Sequence, residues 1–451
     1  SSACTSPSAN TSEGDGSSTA VADGSSSTAD STVSATAGSS DTSGPTSTTS
    51  SMTGNTMTTT QGSSSTGPQG CQGDDECDSP ASPICLDQVC SPCESDAQCA
   101  AKDPANPACR DDGQCVQCTA SNDNGCGGAT PICDAAVNTC VGCSFHEQCP
   151  DSACRIATGE CFDEADVHTV GAGQDFVDFT AAASALGSEM AVLVVAQGAN
   201  FNEAISLSGS AVWAIVDVDP NDMMRPQWIN GFVNAPTLSI EAGAEVYIHG
   251  ISVSSNTASS TSPGIAVDNA SLYLDRARVV NNDGGGISLD NGAYALVRNS
   301  FVGGNLDIPA ISASDSSLEA LYSSLVGSAG DSASLLCNAG ATVSVRNSLL
   351  LSRADAASDI QCPNATISDS VTEANFPGGS NITTVGVMGP TESTNWFGGY
   401  AAGNFSLNIA NAPAAILTAA QWQSGDPLVD IDGDARPGVD GSADVAGADI
   451  P

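Results

Sequence analysis

At 451 residues the chain has room for two or three domains, and its 52 acidic residues against ten basic ones give a formal charge of −42. That balance excludes nucleic acid and anionic membrane surfaces as direct partners, because phosphate binding needs clustered cations. Nineteen cysteines exclude a reducing compartment, and no apolar run approaches the roughly 18 residues of a transmembrane helix.

Residues 1–70 form a polar tract in which 46 of 70 are Ser, Thr or Gly, with no Lys or Arg. Such a segment cannot bury enough apolar surface to offset its backbone entropy, so it is expected to be a disordered tether. Cys4 stands in SSAC, which resembles the end of a bacterial lipobox, with Ser1 where an aliphatic residue is usual. The resemblance implies a signal segment removed ahead of Cys4 and a lipid on that residue, the chain's one route to a membrane.

Residues 71–161 carry sixteen cysteines in four groups of four: Cys71, Cys77, Cys85, Cys90; Cys93, Cys99, Cys109, Cys115; Cys118, Cys126, Cys133, Cys140; and Cys143, Cys149, Cys154, Cys161. Units of about 20 residues have almost no core, so cross-links must supply what burial cannot. Two disulfides per unit use all sixteen sulfurs, with three pairings open in each unit. The rival is zinc held by knuckles such as Cys90-x2-Cys93, Cys115-x2-Cys118 and Cys140-x2-Cys143, which leaves the other cysteines without a role. The array resembles short Cys-rich repeats of secreted bacterial lipoproteins, which implies a spacer or interaction module.

Residues 162–451 read as a β-solenoid. GQDFVDFTAAASALG, Gly173–Gly187, has the spacing of a short amphipathic helix ending at Gly187. AVLVVAQGANFNEAISL, Ala191–Leu207, follows as a Val-rich strand, a Gly turn and an F-x-E-x-I segment. Together they resemble the entrance to right-handed parallel β-helix proteins of the pectin-lyase-like superfamily, which implies that the helix caps the first coil and hides its edge.

One eleven-residue pattern then occurs six times, starting at Val246, Leu272, Ala295, Leu318, Val343 and Ala365, at intervals of 26, 23, 23, 25 and 22 residues. Repeats of this length are single supersecondary units that must stack to bury their apolar side. Positions one, three and eight are largely aliphatic and point inward by the two-residue period of strands. Position five holds Asn299, Asn347 and Asp369, resembling the stacked Asn ladders that satisfy turn backbone groups in such solenoids. Cys337 and Cys362 lie 25 residues apart in equivalent places. Stacked coils sit about 4.8 Å apart, within reach of a disulfide, so these two are predicted to bond. Cys4 is then left alone. The final PLVDIDGDARPGVDGSADVAGADIP resembles the closing segments of secreted bacterial β-helix proteins.

Polysaccharide-cleaving relatives of the resembled superfamily work from the outside of neighbouring coils. The outward column at position four is His249, Asp275, Arg298, Leu321, Arg346 and Ser368; position two gives Tyr247, Tyr273, Leu296, Glu319, Ser344 and Thr366. Tyr247, His249, Tyr273, Asp275 and Arg298 are therefore the candidate sugar-binding face, since aromatics stack on pyranose rings and charges orient hydroxyls. The bland reading makes them solvated ladder residues with one surface ion pair. For catalysis the candidates are Asp275, Arg298, Glu319 and Arg346, but a glycosidase needs two carboxylates flanking one point and this column offers none that converge. Two acidic clusters, Asp217, Asp219, Asp222 and Asp430, Asp432, Asp434, are candidate calcium sites. The second departs from an EF-hand, with Ala435 where Gly is needed, and reads more simply as a turn whose Asp accepts backbone N–H bonds.

The sequence thus predicts an all-β chain: a tether (1–70), a disulfide-rich array (71–161) and a right-handed parallel β-helix with a short N-terminal capping helix (162–451). The expected role is non-catalytic binding or adhesion toward extracellular carbohydrate or another surface protein, at the bacterial outer surface as a lipoprotein, or secreted. No cofactor is expected apart from calcium at the acidic clusters. The alternatives are a polysaccharide lyase or glycoside hydrolase, and a structural envelope spacer.

Overall fold

A computed structural model describes residues 70–451 apart from 222–223, 230–234, 255–261, 304–307, 328–332, 339, 353–358 and 387–394. Cys4, the tether and Asp222 lie outside the described residues.

Each cysteine unit closes with the same topology, first cysteine to third and second to fourth. The bonds are Cys71–Cys85, Cys77–Cys90, Cys93–Cys109, Cys99–Cys115, Cys118–Cys133, Cys126–Cys140, Cys143–Cys154 and Cys149–Cys161. The third and fourth cysteines of each unit face one another across a short antiparallel ribbon, as in Cys85 opposite Cys90 and Cys154 opposite Cys161. All sixteen sulfurs are consumed this way, so none is a thiolate that zinc could use. Lys102, the one lysine, ends helix α1 (Asp96–Lys102) and ties two units together by donating to Cys77 O and Pro83 O, each at 2.7 Å.

The solenoid has three parallel sheets. The first has nine strands, running from Val167–Val170 and Met190–Val195 through Val212–Asp217, Glu245–His249, Ser271–Asp275, Tyr294–Arg298, Ser317–Leu321 and Thr342–Arg346 to Thr366–Ser368. The second, also of nine, runs from Asn200–Asn202 to Thr383–Thr384, and the third, of seven, from Ile205–Ser208 to Ile360–Gln361. Positions one, three and eight of the repeat point inward: Val246, Ile248, Val253 and their counterparts Leu272, Leu274, Val279 share one core that runs through the coils to Ile367. Cys337 and Cys362 bond across neighbouring coils with Cα atoms 4.6 Å apart.

Position five carries a backbone constraint. Gly250, Arg276, Asn299, Tyr322, Asn347 and Asp369 all have positive φ, between 46° and 76°, the left-handed turn that carries the chain from the first sheet to the second and that Asn, Asp and Gly tolerate best. The Asn side chains do not form the expected ladder. Asn299 donates to Val429 O at 3.1 Å, and Asn347 exchanges bonds with Gln421 at 3.0 and 3.1 Å, so both hold the C-terminal segment. The turn backbone is satisfied one residue later by serines. Ser300, Ser348 and Ser370 accept from Ala277 N, Ser323 N and Ser348 N, each at 3.1 Å, and each donates to the carbonyl two residues before it.

Helix α2 (Phe179–Leu186) is shorter than the predicted segment because the Asp178 carboxylate accepts from Ala181 N at 2.7 Å and starts the helix there. Glu203, the acid of the F-x-E-x-I segment, accepts from Phe179 N and Thr180 N at 2.9 and 2.8 Å, anchoring the helix N-terminus to the first coil. Phe179 packs on Trp228 and Phe201 with ring centroids 4.2 and 4.6 Å apart, which closes the end of the core.

Both flanking segments fold back on the solenoid. The C-terminal segment lays Trp396, Phe405, Ile416, Trp422 and Ile431 over the outside of the second sheet, on Phe301, Leu349, Leu351 and Val371. The fourth cysteine unit covers the first sheet. Asn347 joins the coil turn to the C-terminal cover, which makes its loss doubly costly. Asn347→Ala is expected to lower the unfolding free energy in urea by about 2–5 kcal/mol, summing about 1–2 for Ala tolerating positive φ less well than Asn and about 1–3 for the stranded partners. Asn347→Gly should recover the conformational part only.

Candidate functional site: the covered face of the first sheet

The strand registers stack the two outward columns as the repeat requires. Tyr247, Tyr273, Leu296, Glu319 and Ser344 are successive partners in one, and His249, Asp275, Arg298, Leu321 and Arg346 in the other. Strands of adjacent coils lie close enough for each side chain to touch the next. Tyr247 and Tyr273 accordingly stack at 4.6 Å and 15°, and Tyr273 meets Tyr294 at 5.6 Å.

The expected solvent on this face is absent. Relative exposures are 0% for Tyr247, 2% for His249, 9% for Tyr273, 2% for Asp275 and 5% for Arg298, because the fourth cysteine unit sits on them. Ala153 and Phe162 share an apolar cluster with Val192, Ala214, Val216, Tyr247 and Tyr273. Arg155 pairs with Glu245 at 2.7 Å, Tyr247 Oη donates to the same carboxylate at 2.7 Å, and Ala157 N donates to Tyr247 Oη at 3.3 Å. The ladder read as a sugar platform or a solvated surface is the floor of an interface within the chain.

A charged chain crosses that interface. Glu147 of the fourth unit lies 3.3 Å from His249 Nε2 and 3.1 Å from Arg276; His249 Nδ1 lies 3.7 Å from Asp275, and Asp275 pairs with Arg298 at 2.8 Å. The Arg298 guanidinium rests 4.2 Å from the Phe145 ring centre, and the His146 and His249 rings are 5.0 Å apart. Burial disfavours the charged Asp275, but Arg298 and His249 outweigh it and hold its carboxyl far below the usual range. For Glu147 too burial works against the anion, and the His249 contact prevails, lowering it to about 2. His249 is raised: burial opposes its proton, and the Asp275 and Glu147 carboxylates overcome that.

The four candidate catalytic residues do not converge. Asp275 and Arg298 are locked together in the interface, Glu319 is exposed one coil beyond Arg298, and Arg346 is engaged by Asp426 of the C-terminal segment.

The two acidic clusters border one group of arginines. Asp430 Oδ1 accepts from the amides of Asp432, Gly433 and Asp434 at 2.8–2.9 Å and its Oδ2 from Ile450 N at 2.8 Å, so its oxygens are spent on a turn. Asp432 pairs with Arg225 at 3.1 Å and Arg278 at 3.0 Å, while Arg276 reaches Pro220 O and Asn221 beside Asp217 and Asp219. Guanidinium groups therefore contact Asp432 and Asn221 at these two clusters, and Asp434 is exposed. Asp217 is buried with Oδ2 unpartnered, and burial pushes it up to about 6.

Phe145, His146, Glu147, Arg155 and Phe162, which complete the interface, escape a reading confined to the repeat. One signal was present: Phe145 is the first aromatic residue of the chain, in an array whose units need no aromatic core. In comparison with known families, residues 55–167 match the model of a family of unknown function (DUF8331), a match that takes in the cysteine array and stops at the first residue of the first sheet. No curated protein and no solved structure matches the chain.

Removing one member of a buried pair strands the other's charge. Asp275→Leu is therefore expected to lower stability by about 3–5 kcal/mol in chemical denaturation. The double variant Asp275→Leu/Arg298→Met should recover most of that loss.

Proposed function

We propose that the chain is a non-catalytic, extracytoplasmic binding protein that presents the outer face of the third sheet to extracellular carbohydrate, with a surface protein as the alternative partner. The observation that carries this reading is the burial pattern. Strands of the second sheet from Ser252 to Leu351 are buried on both faces apart from half-buried Arg278, whereas those of the third alternate, as in Ile205–Ser208 and Leu238–Glu241. The first sheet is covered over its early coils and the second by the C-terminal segment, so the third is the broad sheet face left to solvent among the described residues.

The chemistry of that face is flat and polar. Ser206, Ser239, Ala266, Ser288 and Ser312 follow one another in one register column, and Ser208, Glu241, Asp268 and Asp290 in the next. Hydroxyls and carboxylates repeating at about 4.8 Å suit an extended, hydroxyl-rich polymer, and the charge of −42 favours a neutral or cationic one. Nine disulfides belong to an oxidising, extracytoplasmic environment, and among the described residues no helix is long and apolar enough to cross a membrane. A lipid on Cys4, with the Ser/Thr/Gly tract as tether, would place the binding face away from the cell.

The test is a screen of neutral, basic and acidic polysaccharides with the whole chain. Binding is expected for a neutral or basic polymer, reduced at least tenfold in Ser239→Arg/Ser288→Arg and unchanged in Glu319→Ala. Release of reducing ends or unsaturated uronate in the same screen would overturn the non-catalytic reading. For the anchor, Cys4→Ser is expected to move the protein to the soluble fraction, and retained membrane association would contradict the lipid.

A further inference from the structure

We propose that the seam between the fourth cysteine unit and the first sheet is a clasp that acid opens, with His146 as the group whose protonation the closed state cannot accommodate. The geometry is specific. His146 Nδ1 accepts the backbone N–H of Cys154 at 3.2 Å inside the unit's own loop. An imidazolium has no acceptor atom, so a proton on that ring breaks the bond and sets two N–H groups against each other. Because Nδ1 accepts, the neutral ring carries its one hydrogen on Nε2, which is buried without a partner, and the only place left for a second proton is the Nδ1 that already faces the Cys154 N–H.

The surroundings act in the same direction. Facing His146 from the sheet are the His249 ring at 5.0 Å and the Tyr247 ring at 6.3 Å. Asp275 and Arg298 lie within electrostatic range, and Glu147 follows His146 in the chain. A second imidazolium would sit against His249, whose proton the Asp275 and Glu147 carboxylates hold in place. The seam is also poorly satisfied for a buried interface: His146 Nε2, Asp275 Oδ1 and Arg298 Nε lack hydrogen-bond partners, and His249 meets its carboxylates only at 3.3 and 3.7 Å. Two of the three histidines of the chain meet here, between modules otherwise joined by a short link.

The pH dependence follows by linkage. Burial first, and His249 second, push His146 down to about 3 in the closed state, against 6.5 when free. The His146 contribution to closure is therefore complete above 6.5 and is lost as pH falls below it, about tenfold in the opening constant per pH unit for one proton. His249 has the opposite sign: its contribution is complete below 6.5 and is lost as pH rises through its raised value. Glu147, held at about 2, and Asp275, held lower still, add to the acid limb below the ordinary carboxylate range. The seam is tightest near neutral pH, and opening bares the Tyr247, Tyr273, Asp275 and Arg298 ladder.

The experiment is amide hydrogen exchange on the whole chain, corrected for intrinsic rates, at Ala157 N, whose bond to Tyr247 crosses the seam, and at Cys154 N, which reports the His146 bond itself. Ser323 N and Ser348 N, bonded within the solenoid, serve as references that hold their protection. Protection of the seam amides is expected to fall about tenfold per pH unit between about pH 6 and 4. His146→Asn, whose Oδ1 stands where Nδ1 does and can still accept from Cys154 N, should flatten that slope. His249→Gln should keep the acid slope and lose the alkaline limb. Constant protection in the native chain, or an unchanged slope in His146→Asn, overturns the proposal, as does an acid slope that disappears in His249→Gln but persists in His146→Asn.

Discussion

In six successive coils the chain leaves the first sheet through one residue at positive φ, and the geometry of everything outside the core depends on that turn. Because the turn falls at the same place in each copy, each strand enters the next coil in register. Side chains at positions two and four then stack into columns that run the length of the sheet. A stacked pair of tyrosines beside a run of His249, Asp275 and Arg298 is a direct consequence, and so is the problem it poses. Such a face must either meet water or be covered by something that satisfies it.

The chain covers it with its own flanking segments, and its scarce cations do much of the work. All eight described arginines form ion pairs. Most join segments far apart in sequence, such as Arg155 with Glu245, Arg276 with Glu147 and Arg346 with Asp426. In a chain with ten basic residues, this leaves few cations unpaired among the described residues. Cations serve to clamp the covers, and among the described residues no arginine pairs with Glu241, Asp268 or Asp290, which stack on the third sheet.

The coil register, the inward columns, the four-by-four cysteine grouping and the Cys337–Cys362 bond were legible in the sequence because they follow from contacts between a residue and its counterpart one repeat away. The covers were not, since a repeat describes what lies above and below a coil and says nothing of what folds against its outside. This is why Asp275 and Arg298 read as a surface pair and are instead a buried one. The turn was only half legible. Asn299, Asn347 and Asp369 advertise positive φ, but Arg276 and Tyr322 adopt it under long-range contacts, Arg276 with Glu147 and Asn221 and Tyr322 beneath the Arg436 guanidinium. The disulfide pairing within each unit depended on the ribbon geometry, which sets the third and fourth cysteines side by side and leaves each to bond a cysteine from the preceding loop.

The central claim is that the fourth cysteine unit is the cover of the first sheet rather than a loose spacer before it. A protease site placed in the link at 163–166 tests this directly, with the cut chain run on gel filtration at neutral pH. The seam predicts that the array and the solenoid elute together after complete cleavage, held by the Phe162 and Tyr247 packing and the Glu147, Arg155, His249 and Arg276 pairs. Elution as two separate fragments would contradict it.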